Sequence, residues 1–114
     1  MPYVTGMVCA VPDANKQAYA EMSRAMAPIF RRHGALEVVD CWGVDVPDGE
    51  VTSFPMAVKC ASGETVVFSW IAWPDAEAAE KGMKEAMADA EMTEHMGAMP
   101  FDGKRMIYGG FETL

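Results

Sequence analysis

The sequence predicts a single α+β domain over residues 1–114 with the ferredoxin-like order βαββαβ, an antiparallel sheet carrying two helices on one face. Three observations predict it. Two segments repeat their apolar residues at steps of three and four. Runs rich in β-branched and aromatic residues stand before, between and after those segments. Turn signals, Pro12-Asp13, Pro47-Asp48-Gly49, Ser62-Gly63 and Pro100-Phe101-Asp102-Gly103, separate them.

The first strand is Tyr3–Val11, stopped at Pro12. Tyr19, Met22, Met26, Ile29 and Phe30 then share one face of a helix over Asn15–His33. Asp13 or Asn15 is its expected cap, and Gly34 its expected C-terminal stop after Arg31, Arg32 and His33. Pro28 cannot donate its amide and is expected to kink the helix near Arg24. Ala35–Val46 reads as the second strand, Val51–Pro55 as a loop and Met56–Cys60 as a short strand. Thr65–Trp73 is the most strand-like run, with bulk on both parities, so both its faces are expected to be covered. Asp75 caps a second helix over Ala76–Ala90, supported by the pairs Glu77–Lys81 and Glu80–Lys84. Met92, Met96 and Met99 continue as a short helix or a packed loop. Lys104–Thr113 is the last strand, and Gly109-Gly110 within it marks a bulge or a close backbone approach.

In that plan the helices cover one sheet face and leave the other bare. Large residues of both parities make a bare face an aggregation hazard, so a homodimer with two sheets packed face to face is expected.

Charge narrows the function classes. Nine basic against 17 acidic residues give a net charge of -8. A nucleic-acid binder needs clustered Lys and Arg, and the adjacent basic pairs here are Arg31–Arg32 and Lys104–Arg105. Nucleic-acid partners are therefore not expected. No apolar run approaches the roughly 20 residues that cross a bilayer, so no membrane partner is expected either. Cys9, Cys41 and Cys60 are odd in number and widely spaced. They suit reduced thiols in a cytoplasmic protein better than a disulfide framework or a zinc site. With His33 and His95 the sole histidines, no metal site and no cofactor are expected.

Several segments together resemble the YbaA-like bacterial family of unknown function: Tyr3-Val4-Thr5-Gly6, His33-Gly34-Ala35-Leu36-Glu37, Cys41-Trp42-Gly43-Val44-Asp45-Val46-Pro47, Val66 to Ile71 and Met99 to Phe111. The resemblance spans nearly the whole chain. It implies a dimeric α/β barrel, a ferredoxin-like subunit pairing through its sheet, and brings no established activity. The wider superfamily it implies includes cofactor-independent monooxygenases, isomerases and ligand binders.

Asp40, Trp42, Trp70 and Tyr108 each fall in an expected strand. If the strands pair as in that plan, two aromatics, a phenol and a carboxylate can line one apolar pocket for a small molecule. The alternative is that Trp42 and Trp70 only pack in a core or interface. His33, at a helix end, is a candidate base or a dipole-neutralising cap. Arg105 can hold a ligand carboxylate, or pair with Asp102 or Asp45 and pin its loop. Ser69 lacks the glycines of a nucleophile elbow, and Cys41 beside Trp42 is expected to be inert. The reading is a small apolar or aromatic ligand in a barrel pocket. Tyr108, Asp40 and His33 would supply proton transfer in a cofactor-independent oxygenase or isomerase. The alternative is a non-catalytic structural homodimer.

Overall fold

A computed structural model describes residues 2–97 and 99–114. Four strands, β1 (Tyr3–Pro12), β2 (Glu37–Trp42), β3 (Glu64–Trp73) and β4 (Ile107–Glu112), form one antiparallel sheet in the order β2-β3-β1-β4. Helix α1 (Lys16–Arg32) crosses between β1 and β2, and α3 (Ala76–Ala88) with α4 (Ala90–Met96) between β3 and β4. The short α2 (Phe54–Ala57) lies between β2 and β3. The fold is ferredoxin-like.

Pairing fixes the two faces of the sheet. Thr5 lies opposite Ile71 and Gly110, Met7 opposite Ser69 and Tyr108, and Asp40 opposite Ser69. Side chains alternate along a strand, so these residues share one face with Cys9, Trp42, Val67 and Trp73. Helices α1, α3 and α4 cover that face. Trp73, Ile29, Ile71 and Met92 are fully buried between the layers. Trp73 donates its indole N–H to Thr5 Oγ1 at 3.1 Å, which removes the penalty of burying that donor.

The opposite face carries Phe68, Trp70, Ile107 and Phe111. The chain itself covers one end of it. Val58, just beyond α2, packs on Val8, Ala10 and Val66. Phe68 (42% exposed), Ile107 and Phe111 stay open, so the expectation that both faces of β3 are covered holds on the helix side and at this end alone.

The expected strand at Met56–Cys60 is instead α2 and its exit. Ser53 accepts the Met56 amide at 3.1 Å, Pro55 suits the first helical turn, and Lys59 has a left-handed φ of 50° that ends any extension. Asn15 does not cap α1 with its side chain. It donates to the Pro100 carbonyl at 2.9 Å, while Asp13 accepts from Thr65. Gly34 does terminate α1, at φ 108°. The helix is continuous across Pro28, which is exposed. The second helix ends two residues earlier than expected. Asp89 is extended, and its carboxylate accepts the Glu91 amide at 2.9 Å to start α4. Gly109 and Gly110 sit in unbroken register, so they mark a close approach and not a bulge. A β-carbon on Gly110 would run into the Tyr3 ring.

β4 starts at Ile107 because Gly103–Arg105 form a 3-10 turn capped by Asp102. Arg105 reaches back from it to Glu64 in a bidentate pair at 2.7 and 2.8 Å, and to Asp102 at 3.1 Å. The guanidinium holds the Glu64 carboxyl down at about 2, from an ordinary 4.5. A depressed folded value means that this pair stabilises the fold fully above pH 4.5 and loses its contribution as pH falls toward 2. The difference in urea midpoint between the wild type and Glu64→Gln is expected to be constant above pH 4.5 and to close between there and pH 2.

Candidate functional site

Between α1, α3, α4 and the sheet lies a cavity of about 420 Å³. Its walls are apolar and soft. Met22 and Met26 come from α1, Met83 and Met87 from α3, Met96 from α4, Met7 from β1, and Met99 and Met106 from the approach to β4. Phe30 and Phe101 add rings. Unbranched thioethers fill irregular space and adapt to what enters.

One charged group stands among them. Asp40 points from β2 into this layer, because its parity is that of Val38 and Trp42. Tyr19 donates to Oδ1 at 2.8 Å, Ser23 to Oδ2 at 2.5 Å, and Ser69 to Oδ1. Tyr19 and Ser69 are buried, at 8% and 5% exposed. Tyr19 and Ser23 are four residues apart, so one helix face delivers both hydroxyls. Ser69 arrives from the neighbouring strand, directly opposite Asp40. A carboxylate in an apolar layer is tolerated because hydroxyls occupy most of its lone pairs.

The network sets its neighbours' acidity. Burial, and then the Asp40 charge, push the Tyr19 phenol far above the ordinary tyrosine range. Burial pushes the Cys9 thiol up to about 11, with Asp40 adding to the shift. Both groups keep their protons at neutral pH, so Tyr19 acts as a donor to Asp40 and Cys9 is a poor nucleophile.

The residues singled out from the sequence separate into two groups. Asp40 and Tyr108 meet at the cavity, Asp40 inside and Tyr108 at the rim, 76% exposed. Trp70 borders it from the sheet floor. Its parity, opposite Gly6 and Val39, sends its ring to the other face, against Phe68 at 5.8 Å. Trp42 shares the face of Asp40 but packs beyond the cavity with Cys9, Val11, Tyr19 and Val67, under the Lys16 ammonium at 5.3 Å. His33 stands apart, bonded to Asp89 at 2.8 Å and near Glu85 at 3.4 Å. With Arg32 it draws the Asp89 carboxyl well below the usual range and ties the α3–α4 junction to the end of α1. Arg105 spends its donors on Glu64, Asp102 and the Lys59 carbonyl. Tyr19, Ser23 and the donor role of Ser69 escape a reading of the sequence alone. The signal for the first two is a pair of hydroxyls at i and i+4 on an otherwise apolar helix face. Among the described residues no group of three His, Cys, Asp or Glu side chains could hold a metal ion, and no helix is long and apolar enough to cross a membrane.

Residues 2–103 match the model of a family described as "Protein of unknown function (DUF1428)". The chain is 54% identical over 114 residues to "Uncharacterized protein YbaA" of Escherichia coli (strain K12), covering all of this chain and 97% of that protein. The figures are the same for "Uncharacterized protein YbaA" of Shigella flexneri. Among solved structures, Rv0793 from Mycobacterium tuberculosis aligns with a TM-score of 0.56 and 12% identity, over 100% of this chain and 96% of that one. A point mutant of SnoaB, a cofactor-independent oxygenase from Streptomyces nogalater, aligns with a TM-score of 0.55 and 14% identity, over 98% of this chain and 92% of that one. At those identities the likeness is one of fold.

Proposed function

We propose, for a chain that belongs to the DUF1428 family of proteins of unknown function, a binding role: the cavity takes up one small, mostly apolar molecule, and Asp40 holds its polar end. The observation that carries this is the single convergent carboxylate in a methionine-walled cavity of about 420 Å³, the usual size and make-up of a small-ligand site. Oδ1 already accepts two hydroxyls and Oδ2 one, which leaves acceptor capacity on Oδ2 for a donor on the ligand. Tyr108 adds a phenol at the rim. A chemical step, of the kind performed by the cofactor-independent oxygenase that shares the fold, would draw on Asp40 as proton acceptor and Tyr108 as donor. His33 would act only indirectly, by fixing the α3–α4 junction.

The test is fluorescence titration with the neutral probe N-phenyl-1-naphthylamine. Saturable binding is expected in the wild type. Ala27→Trp, which sends an indole from α1 into the cavity, is expected to weaken it at least tenfold while the far-UV circular dichroism is kept. Equal affinity in both proteins would move the probe, and the proposal with it, away from this cavity.

The second part of the reading is a cytoplasmic homodimer formed through the open sheet face, where Phe68, Ile107 and Phe111 are exposed together. The cavity lies on the helix side of the sheet and the open face on the other, so the two parts are tested separately. Sedimentation equilibrium is expected to give twice the chain mass, and Phe111→Asp to give the mass of one chain. A wild-type monomer would remove the dimer.

A further inference from the structure

We infer that the molecule taken up in the cavity is a cation, a protonated amine on an aromatic or branched apolar body. This rests on the binding role above and narrows it to a chemical class. The cavity wall carries one charge. Asp40 is the sole ionic side chain among the described residues that line it, and no Lys, Arg or His lines it with Asp40. Its three partners, Tyr19, Ser23 and Ser69, are neutral hydroxyls. They satisfy lone pairs, but they leave the negative charge without a counter-charge.

Four cationic side chains of the fold have partners away from the cavity. Arg32 and His33 bind Asp89, Arg105 binds Glu64, and Lys16 stands over the Trp42 ring. A charge in an apolar layer with this arrangement attracts an ammonium group strongly, since little water screens the pair. The Tyr19 ring, whose hydroxyl touches Asp40, meets Phe101 edge to face at 5.8 Å. Both rings line the cavity wall, so the apolar body of such an amine has aromatic surface to pack on.

The same features reject acids. A ligand carboxylate would enter an apolar space toward a like charge, with no donor cation in the wall to receive it. The net charge of -8 adds long-range attraction for cations and repulsion of anions. A neutral alcohol can use the free acceptor position on Oδ2 but gains nothing from the charge.

Three ligands of nearly equal shape separate these cases: 1-naphthylmethylamine, 1-naphthalenemethanol and 1-naphthoate, titrated calorimetrically into the full chain at pH 7 and low salt. The amine is expected to bind at least about tenfold more tightly than the alcohol, and the naphthoate not to bind. Asp40→Asn is expected to bring amine and alcohol within about twofold of each other. Should that variant fail to fold, the wild-type order decides. Amine affinity equal to or below that of the alcohol, naphthoate binding tightest, or an amine preference that survives in folded Asp40→Asn would each overturn the cation assignment and leave the cavity role standing. If the three fail while N-phenyl-1-naphthylamine binds, the cation class falls alone. If that neutral probe fails too, the binding role falls with it.

Discussion

Trp73→Ala is expected to lower the free energy of unfolding by about 3–5 kcal/mol, read from urea denaturation followed by circular dichroism. The indole is fully buried where three layers of contact meet. Ile71 lies on its own strand, Ile29 and Phe30 come from α1, and Ala79 and Ala86 come from α3. Helix α3 approaches so closely that a β-carbon on Gly82 would collide with the indole and lie 2.6 Å from the His33 carbonyl oxygen. The backbone is already near its limit there and cannot collapse far into a void, so most of the indole volume would remain as cavity. Thr5, itself buried, would also lose the N–H it accepts. A domain of this size has about 5–15 kcal/mol of stability, so the variant is expected to be marginal at body temperature. A loss below about 1 kcal/mol would show that this junction is not where the two layers are held together.

The architecture was legible in the sequence because its signals are local and agree with one another. The period of three and four from Tyr19 to Phe30, the β-branched run from Thr65, and the Asp75 cap each point to one element, and the Ala78 amide does donate to Asp75 at 2.7 Å. Asp40 and Trp42 share a face, since parity within a strand is fixed. What parity within a strand cannot give is the phase between strands. The register sets Asp40 opposite Ser69 and turns Trp70 to the other face, which separates two residues that composition alone would put in one pocket. Met56–Cys60 is apolar enough for a strand, and a cap at Ser53 with Pro55 behind it outweighed that composition. The site was half legible for the same reason. A carboxylate in mid-strand announces a need for partners, but Ser23 and Ser69 are 46 residues apart in the chain and meet only through the packing of α1 on the sheet.

Asp40→Ala tests whether that meeting holds the fold as well as the ligand, and it is expected to cost about 2–4 kcal/mol. Two opposing effects set the figure. Removing the carboxylate relieves the burden of a charge in an apolar layer, which alone would stabilise the protein. It also strands three hydroxyls, two of them on the buried residues Tyr19 and Ser69, and each buried donor left without a partner costs about 1–3 kcal/mol. Asp40 is half-buried and opens onto the cavity, so the relief is the smaller effect, and water entering the cavity limits the loss. Asp40→Asn keeps an oxygen that accepts and is expected to lose about half as much. A second readout separates the charge from the packing. Asp40 raises both the Tyr19 phenol and the Cys9 thiol, after burial. Either substitution is therefore expected to move phenol ionisation, followed by ultraviolet absorbance, to lower pH, and to bring thiol ionisation, followed by alkylation rate, below about 11. Burial remains in the variants, so neither group returns to its ordinary range. A stability loss without these shifts would mean that Asp40 braces α1 against the sheet but does not set the electrostatics of the cavity, and an amine would then have no reason to be preferred there.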